Sequence, residues 1–261
     1  MSAADMTALV TGAGGDIGRA MVRALLARSV FVMAVDHQRH ALDNLANEFP
    51  DNALVTLQGD VTDEASVSDF VSRAQSERGR IDLLYNNAGI EGPVCAIPDY
   101  PLVEFNRVLG VNVVGMFLVM KHVIPFMAVQ SSGRIINIAS VAGLGGGPNL
   151  SAYIASKHAV VGLTRAAAAE WDGHGIQVIC IAPGAVRGRM MAAILDGQPP
   201  QVRAARSETV GGPRFNDPAE VAQLAAALGL GETRSENGAV YRIEGGVICL
   251  ESGHQRPLIR P

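Results

Sequence analysis

Along the chain, short runs that are apolar at nearly every position alternate with longer segments whose apolar residues recur every three or four places. Ala8–Val10, Val30–Val35, Ala53–Gln58, Ile81–Asn86, Arg134–Ser140, Gln177–Ala182 and Ala239–Glu244 belong to the first kind and are predicted strands. Residues 17–29, 41–49, 63–77, 103–129, 151–171 and 217–229 belong to the second kind and are predicted helices. Asp63 and Ser151 stand as cap acceptors ahead of helical runs, and Asp217-Pro218 offers a cap with proline in the first turn. A strand that is apolar throughout is buried on both faces, so this alternation predicts a parallel sheet with helices on both sides. Right-handed crossovers then make it a doubly wound α/β fold. Two stretches break the rhythm: the glycine-rich loop Gly143–Asn149, and a long segment from Arg187 to Asn216 with no regular pattern. Irregular segments of that length in compact domains are usually functional lids or disordered excursions.

Composition narrows the picture. A chain of 261 residues, 48% apolar and 18% charged, has the size and core of one large domain, residues 1–261. The balance of 21 basic against 25 acidic residues, net −4, provides no footprint for nucleic acid. Cys95, Cys180 and Cys249 are far apart and odd in number, which fits neither a disulfide framework nor a metal-binding pair. The six histidines lack ligand spacing, so no metal is expected. The N-terminus has no basic stretch followed by an apolar one, and no apolar run reaches membrane-spanning length. The expectation is a soluble cytoplasmic protein with a small-molecule substrate, and no nucleic-acid or membrane partner.

The candidate chemistry lies where predicted strands end. "TGAGGDIG", Thr11–Gly18, follows the first strand and opens a helix, so its backbone N–H groups can receive a pyrophosphate. Asp36 ends the second strand, where a carboxylate can take both ribose hydroxyls of an adenosine and repel a 2′-phosphate. In "YIASK", Tyr153 and Lys157 are one helical turn apart and share a face. A free tyrosine titrates near pH ~10, so exchange of its proton near neutrality needs roughly 4 kcal/mol of help for the phenolate. A nearby ammonium supplies part of that. Ser140, Asn86–Gly89 and Pro183-Gly184 also fall at carboxyl ends of strands, where ligands bind in open parallel sheets. Alone, each pattern has a bland reading: a tight turn, a solvent-facing acid, a helix-surface pair.

Together, "TGAGGDIG", Asp36, Gly59–Val61, "NNAG", Val111-Asn112, Ser140, "YIASK", Ala182–Gly184 and Ile243–Gly246 resemble the short-chain dehydrogenase/reductase family across essentially the whole chain. The resemblance implies a Rossmann-type NAD(P)-binding domain that interconverts a secondary alcohol and a ketone by hydride transfer. Tyr153 would be the acid/base, Lys157 would lower its pKa and bind the nicotinamide ribose, Ser140 would bond the reacting oxygen, and Asn112 would hold a relay water. The implied cofactor contacts are Gly12, Gly15, Asp16, Ile17 and Gly18 in the turn, then Asp36, Asp60, Val61, Asn87, Ala88 and Gly89. Tyr153, Lys157, Pro183, Gly184 and Val186 complete that set. Asp36 favours NAD as cofactor. The alternatives are an NADPH-dependent 3-oxoacyl-type ketone reductase, for which Arg39 is the nearest basic residue, and a non-catalytic dinucleotide sensor.

Three positions depart from the family pattern: Gly188 replaces a usual Thr, Ile179 a frequent Asn, and Asp16 the middle glycine of the turn. At the first turn of a helix a carboxylate meets the positive end of the dipole, so Asp16 is expected to cap its own helix start. The 187–216 segment is expected to be a substrate lid. Its Arg187, Arg189, Arg203, Arg206 and Arg214 would either clamp an anionic substrate, or face water or pair with acids on a neighbouring subunit. Helices apolar around more than one face point to a homo-oligomer, a tetramer by the resemblance.

Overall fold

The computed structural model describes residues 2–50, 53–198 and 214–251. Eight strands form one sheet: β1 (Thr7–Thr11), β2 (Phe31–Asp36), β3 (Leu54–Gln58), β4 (Leu83–Asn86), β5 (Gly133–Ile138), β6 (Ile176–Pro183), β7 (Val240–Glu244) and β8 (Val247–Glu251). Their order is β3-β2-β1-β4-β5-β6-β7-β8, parallel as far as β7. The eighth strand, which the periodicity did not predict, pairs antiparallel with β7 and corrects the all-parallel expectation. Gly245 and Gly246, both at positive φ, form the two-residue turn that such a hairpin requires.

Side chains of a strand alternate between faces, and along β1, β2 and β4 both faces are buried. Phe31, Met33 and Val35 of β2 pack with α3 (Glu64–Arg78), α5 (Met116–Gln130) and α6 (Ser151–Glu170). Val32 and Ala34 of the same strand pack with α1 (Asp16–Leu26) and α8 (Pro218–Leu230). This is the physical meaning of the continuous apolar runs. Each fully buried aliphatic side chain contributes about 1.5–3 kcal/mol. The chain winds from β1 outwards to β3, then crosses back to β4, so the carboxyl ends of β1 and β4 diverge. Such a switch point opens a crevice.

The helix ends agree with the sequence in part. Asp63 accepts from the Ala65 N–H, and Asp217 and Glu220 form a reciprocal capping box at α8. Ser151 does not cap: it is the first residue of α6, behind Leu150, which has no side-chain acceptor to offer. The long predicted helix is α4 (Leu102–Leu109) and α5 joined by a π-helical stretch, Gly110–Gly115. The resulting helix, Leu102–Gln130, is long and apolar enough to cross a membrane, contrary to expectation. Its Met116, Val119, Met120, Val123 and Met127 are buried against the sheet, as in a core helix. The segment expected to be irregular contains α7 (Arg189–Asp196); residues 199–213 lie outside the described residues.

Candidate active site

The glycine turn is pinned from two sides. The Asn87 side chain donates to the Thr11 and Gly12 carbonyls, both at 3.1 Å, and the Thr11 hydroxyl accepts the Asn87 and Ala88 N–H groups. Gly18 packs so closely beneath the turn that a Cβ there would lie 2.1 Å from the Gly12 carbonyl oxygen. No side chain caps α1, so the backbone N–H groups of its first turn stay available to an anion. Across the turn, Asp36 accepts from the Gly14 N–H through one oxygen and from the Gln38 N–H through the other, each at 2.9 Å. Arg39, the basic residue nearest that acid in sequence, is bonded to Asp43 at 2.9 Å.

At the other end, Asn112 is fully buried in the π-helical stretch. Its side chain bonds the Ile90 N–H at 2.8 Å and the Ile90 carbonyl at 2.9 Å, and also donates to the Ser156 hydroxyl at 2.9 Å. Ser156 donates in turn to the Tyr153 carbonyl at 2.7 Å. Ser156 is a brace that sequence reasoning missed; its only signal was a hydroxyl inside "YIASK". Lys157 is 4% exposed and donates to the Ile138 carbonyl at 2.9 Å, with its Nζ 5.6 Å from the Tyr153 ring centre. The Ser140 hydroxyl accepts the Ala142 N–H at 3.1 Å.

The electrostatics correct one expectation. Burial raises the Tyr153 pKa above its usual value, the Ser140 hydroxyl pulls it down, and Glu91 pushes it up. Lys157 has turned its ammonium to Ile138, and burial brings its own pKa down to about 8. Desolvation of both groups outweighs the lowering that their spacing alone implied. Glu91 was not singled out in the sequence.

Asp16 corrects another. Its side chain does not turn into its own helix, whose cap residue is Gly15; it accepts the Arg189 N–H of α7 at 2.8 Å. Gly188 precedes α7 at φ 153°, and a Cβ there would lie 2.2 Å from the same Asp16 oxygen. Two of the three departures from the family pattern, Asp16 and Gly188, are therefore neighbours. Of the five arginines, Arg189 lies 3.8 Å from Glu91 and Arg214 is bonded to Glu220. Arg187 is exposed at the cleft, while Arg203 and Arg206 fall outside the described residues.

One cleft of about 950 Å³ joins the two ends. Gly12, Gly15, Asp16, Ile17, Asp36, Asp60, Val61, Asn87, Ala88 and Gly89 line it, with Ser140, Tyr153, Lys157, Pro183, Gly184 and Val186. Of the expected residues, Gly18 and Asn112 do not line it; both are buried behind the wall. A dinucleotide fits what is present: uncapped N–H groups beside a glycine-rich turn, an acid at one end, and a phenol and an ammonium at the other.

Comparison with known proteins agrees. A family model described as short chain dehydrogenase matches residues 6–199. Levodione reductase of Leifsonia aquatica is 35% identical over 250 residues, covering 93% of this chain and 94% of that protein. A crystal structure of levodione reductase superposes with a TM-score of 0.87, covering 93% of this chain and 97% of the other. NAD+-bound xylitol dehydrogenase does so with a TM-score of 0.85 at 32% identity, covering 92% and 98%. The 3-oxoacyl-[acyl-carrier-protein] reductase of Thermotoga maritima is 32% identical over 242 residues, 92% of this chain and 96% of the relative. The chain belongs to the short-chain dehydrogenase/reductase family. It is an oxidoreductase of the class that binds a nicotinamide dinucleotide.

Proposed function

We propose that this protein uses NAD to interconvert a neutral secondary alcohol and its ketone. The observation that carries the reading is a single cleft with Asp36 at one end and the buried Ser140, Tyr153 and Lys157 at the other. A bound nicotinamide dinucleotide supplies the hydride acceptor or donor. The chain's own residues supply the rest. The first turn of α1 receives the pyrophosphate, and Asp36 takes the adenosine ribose hydroxyls and repels a 2′-phosphate. The Tyr153 phenolate takes the proton of the alcohol, and in the reverse direction the phenol gives it to the ketone oxygen. Ser140 hydrogen-bonds that oxygen and favours the phenolate, and Lys157 holds the nicotinamide ribose. Asn112 and Ser156 brace the helix carrying both groups.

Arg39 is engaged with Asp43, which disfavours the NADPH reading, and the assembled acid/base group disfavours a sensor without turnover. Glu91 beside the phenol, together with the pairing of Arg189 and Arg214 to acids, favours an uncharged substrate over an anionic one. The three free cysteines fit a reducing, cytoplasmic setting. Two measurements test the reading: turnover of a panel of neutral secondary alcohols and their carboxylate analogues with NAD and with NADP, and dinucleotide binding measured alongside. Tight NAD binding without turnover of any alcohol, or a clear preference for the carboxylates, overturns it.

A further inference from the structure

Helix α7 forms part of the cleft wall through Arg189, Met190, Met191 and Ile194. Ile194 is its one buried side chain, packed in a small cluster with Leu150 and Tyr153. Gly188 cannot cap its N-terminus, having no side chain. The carboxylate of Asp16 does so instead from the first turn of α1, by the 2.8 Å bond to the Arg189 N–H. We propose that Asp16 is a positioning residue. By capping α7 from the dinucleotide-binding turn it fixes the substrate wall against the Tyr153 ring, and Gly188 leaves the space that the carboxylate needs.

The argument is local and physical. A helix N-terminus leaves backbone N–H groups without partners, and a carboxylate is a strong acceptor for them. The bond joins residues 173 positions apart, so it links two walls of the cleft rather than ordering one loop. A Cβ on residue 188 would sit 2.2 Å from the carboxylate oxygen and 2.7 Å from its carbon, so glycine there is a condition of the contact. The Asp16 charge meets the positive end of the α7 dipole, which offsets its repulsion of a nearby pyrophosphate.

The proposal rests on the cleft being a dinucleotide and alcohol site, so its test begins with a readout that needs no turnover. Amide hydrogen exchange of residues 188–196 is compared in the full chain for wild type, Asp16→Ala, Asp16→Asn, Gly188→Ala and the double alanine variant. Loss of a helix cap predicts exchange faster by roughly 2- to 30-fold in Asp16→Ala. Asp16→Asn, which keeps an acceptor oxygen, should retain most of the protection. Gly188→Ala, which adds backbone strain at φ 153° to loss of the contact, should exchange at least as fast as Asp16→Ala, and the double variant should match Gly188→Ala. Unchanged exchange in Asp16→Ala, or single effects that add in the double variant, overturns the clasp.

Kinetics at saturating NAD then test positioning: KM for the alcohol should rise several-fold in Asp16→Ala, by a larger factor than kcat falls, and recover in Asp16→Asn. An unchanged KM beside altered exchange overturns the positioning role. If exchange responds as expected but wild type turns over no alcohol, the clasp stands and the proposed function falls.

Discussion

The carboxylate of Asp36 accepts the Gly14 N–H at 2.9 Å, tying the end of β2 to the glycine turn. The acid that would select the cofactor therefore also shapes the loop that would hold the pyrophosphate. Wild type is predicted to prefer NAD to NADP in kcat/KM. Asp36→Ala should narrow that preference at least tenfold and weaken NAD itself, because the Gly14 and Gln38 N–H groups lose their acceptor. A wild-type enzyme faster with NADP at equal low concentration would reverse the assignment.

Tyr153→Phe is predicted to lower turnover by the ~10²–10⁴-fold typical of lost acid–base catalysis, with NAD binding largely kept. Burial holds the Tyr153 phenol protonated to higher pH than usual. Alcohol oxidation, which needs the phenolate, should therefore climb with rising pH, and ketone reduction, which needs the phenol, should decline. Measured pH profiles of the two directions with the same slope would remove Tyr153 from the role.

Lys157 provides a test in stability. Burial brings its pKa from 10.5 down to about 8, so the folded state holds this proton less tightly than the unfolded chain does. Between those two values the unfolded chain binds more protons, and the contribution of Lys157 to stability becomes more favourable as pH rises. Below about pH 8 the buried ammonium costs about 3 kcal/mol. Lys157→Met, of similar length and uncharged, should therefore unfold at an equal or higher temperature at pH 7 while losing activity. A clear fall in Tm at pH 7 would show that the bond to Ile138 outweighs the desolvation.

A homotetramer is the proposed assembly. Val114 and Phe117 are each 47% exposed and Leu102 and Val103 each 72%, on the helix formed by α4 and α5. Large apolar side chains exposed along one helix point to an interaction surface. Light scattering should report four chains at micromolar concentration, and Phe117→Glu should shift the distribution towards smaller species. A wild-type monomer at that concentration ends the proposal.

Particular residues show why the sequence was informative in some places and silent in others. Leu9, Met33 and Val35 stand in runs that are apolar on both faces, so their neighbours alone imply a doubly covered strand. Gly18 sits against the Gly12 carbonyl, and Asp36 ends its strand a short way further on; such contacts are short in sequence and legible from spacing. The Gly245-Gly246 hairpin was not read from the sequence, although two glycines precede an apolar run, because a seven-strand parallel pattern already satisfied the periodicity.

What local pattern could not decide was where polar side chains find their partners. Asp16 looked like a cap for its own helix because a carboxylate in a first turn usually is one, and only the fold brings the Arg189 N–H to it. Ser156 became a brace because the π-helical stretch aims Asn112 at it. The spacing of Tyr153 and Lys157 placed them on one face, but the direction of their pKa values was set by burial, which belongs to the whole packed molecule. Periodicity and backbone sterics act over a few residues and are written in the chain itself. Hydrogen-bond partnership across 173 residues and exclusion of water exist only once distant elements have packed, so the tertiary structure alone decided them.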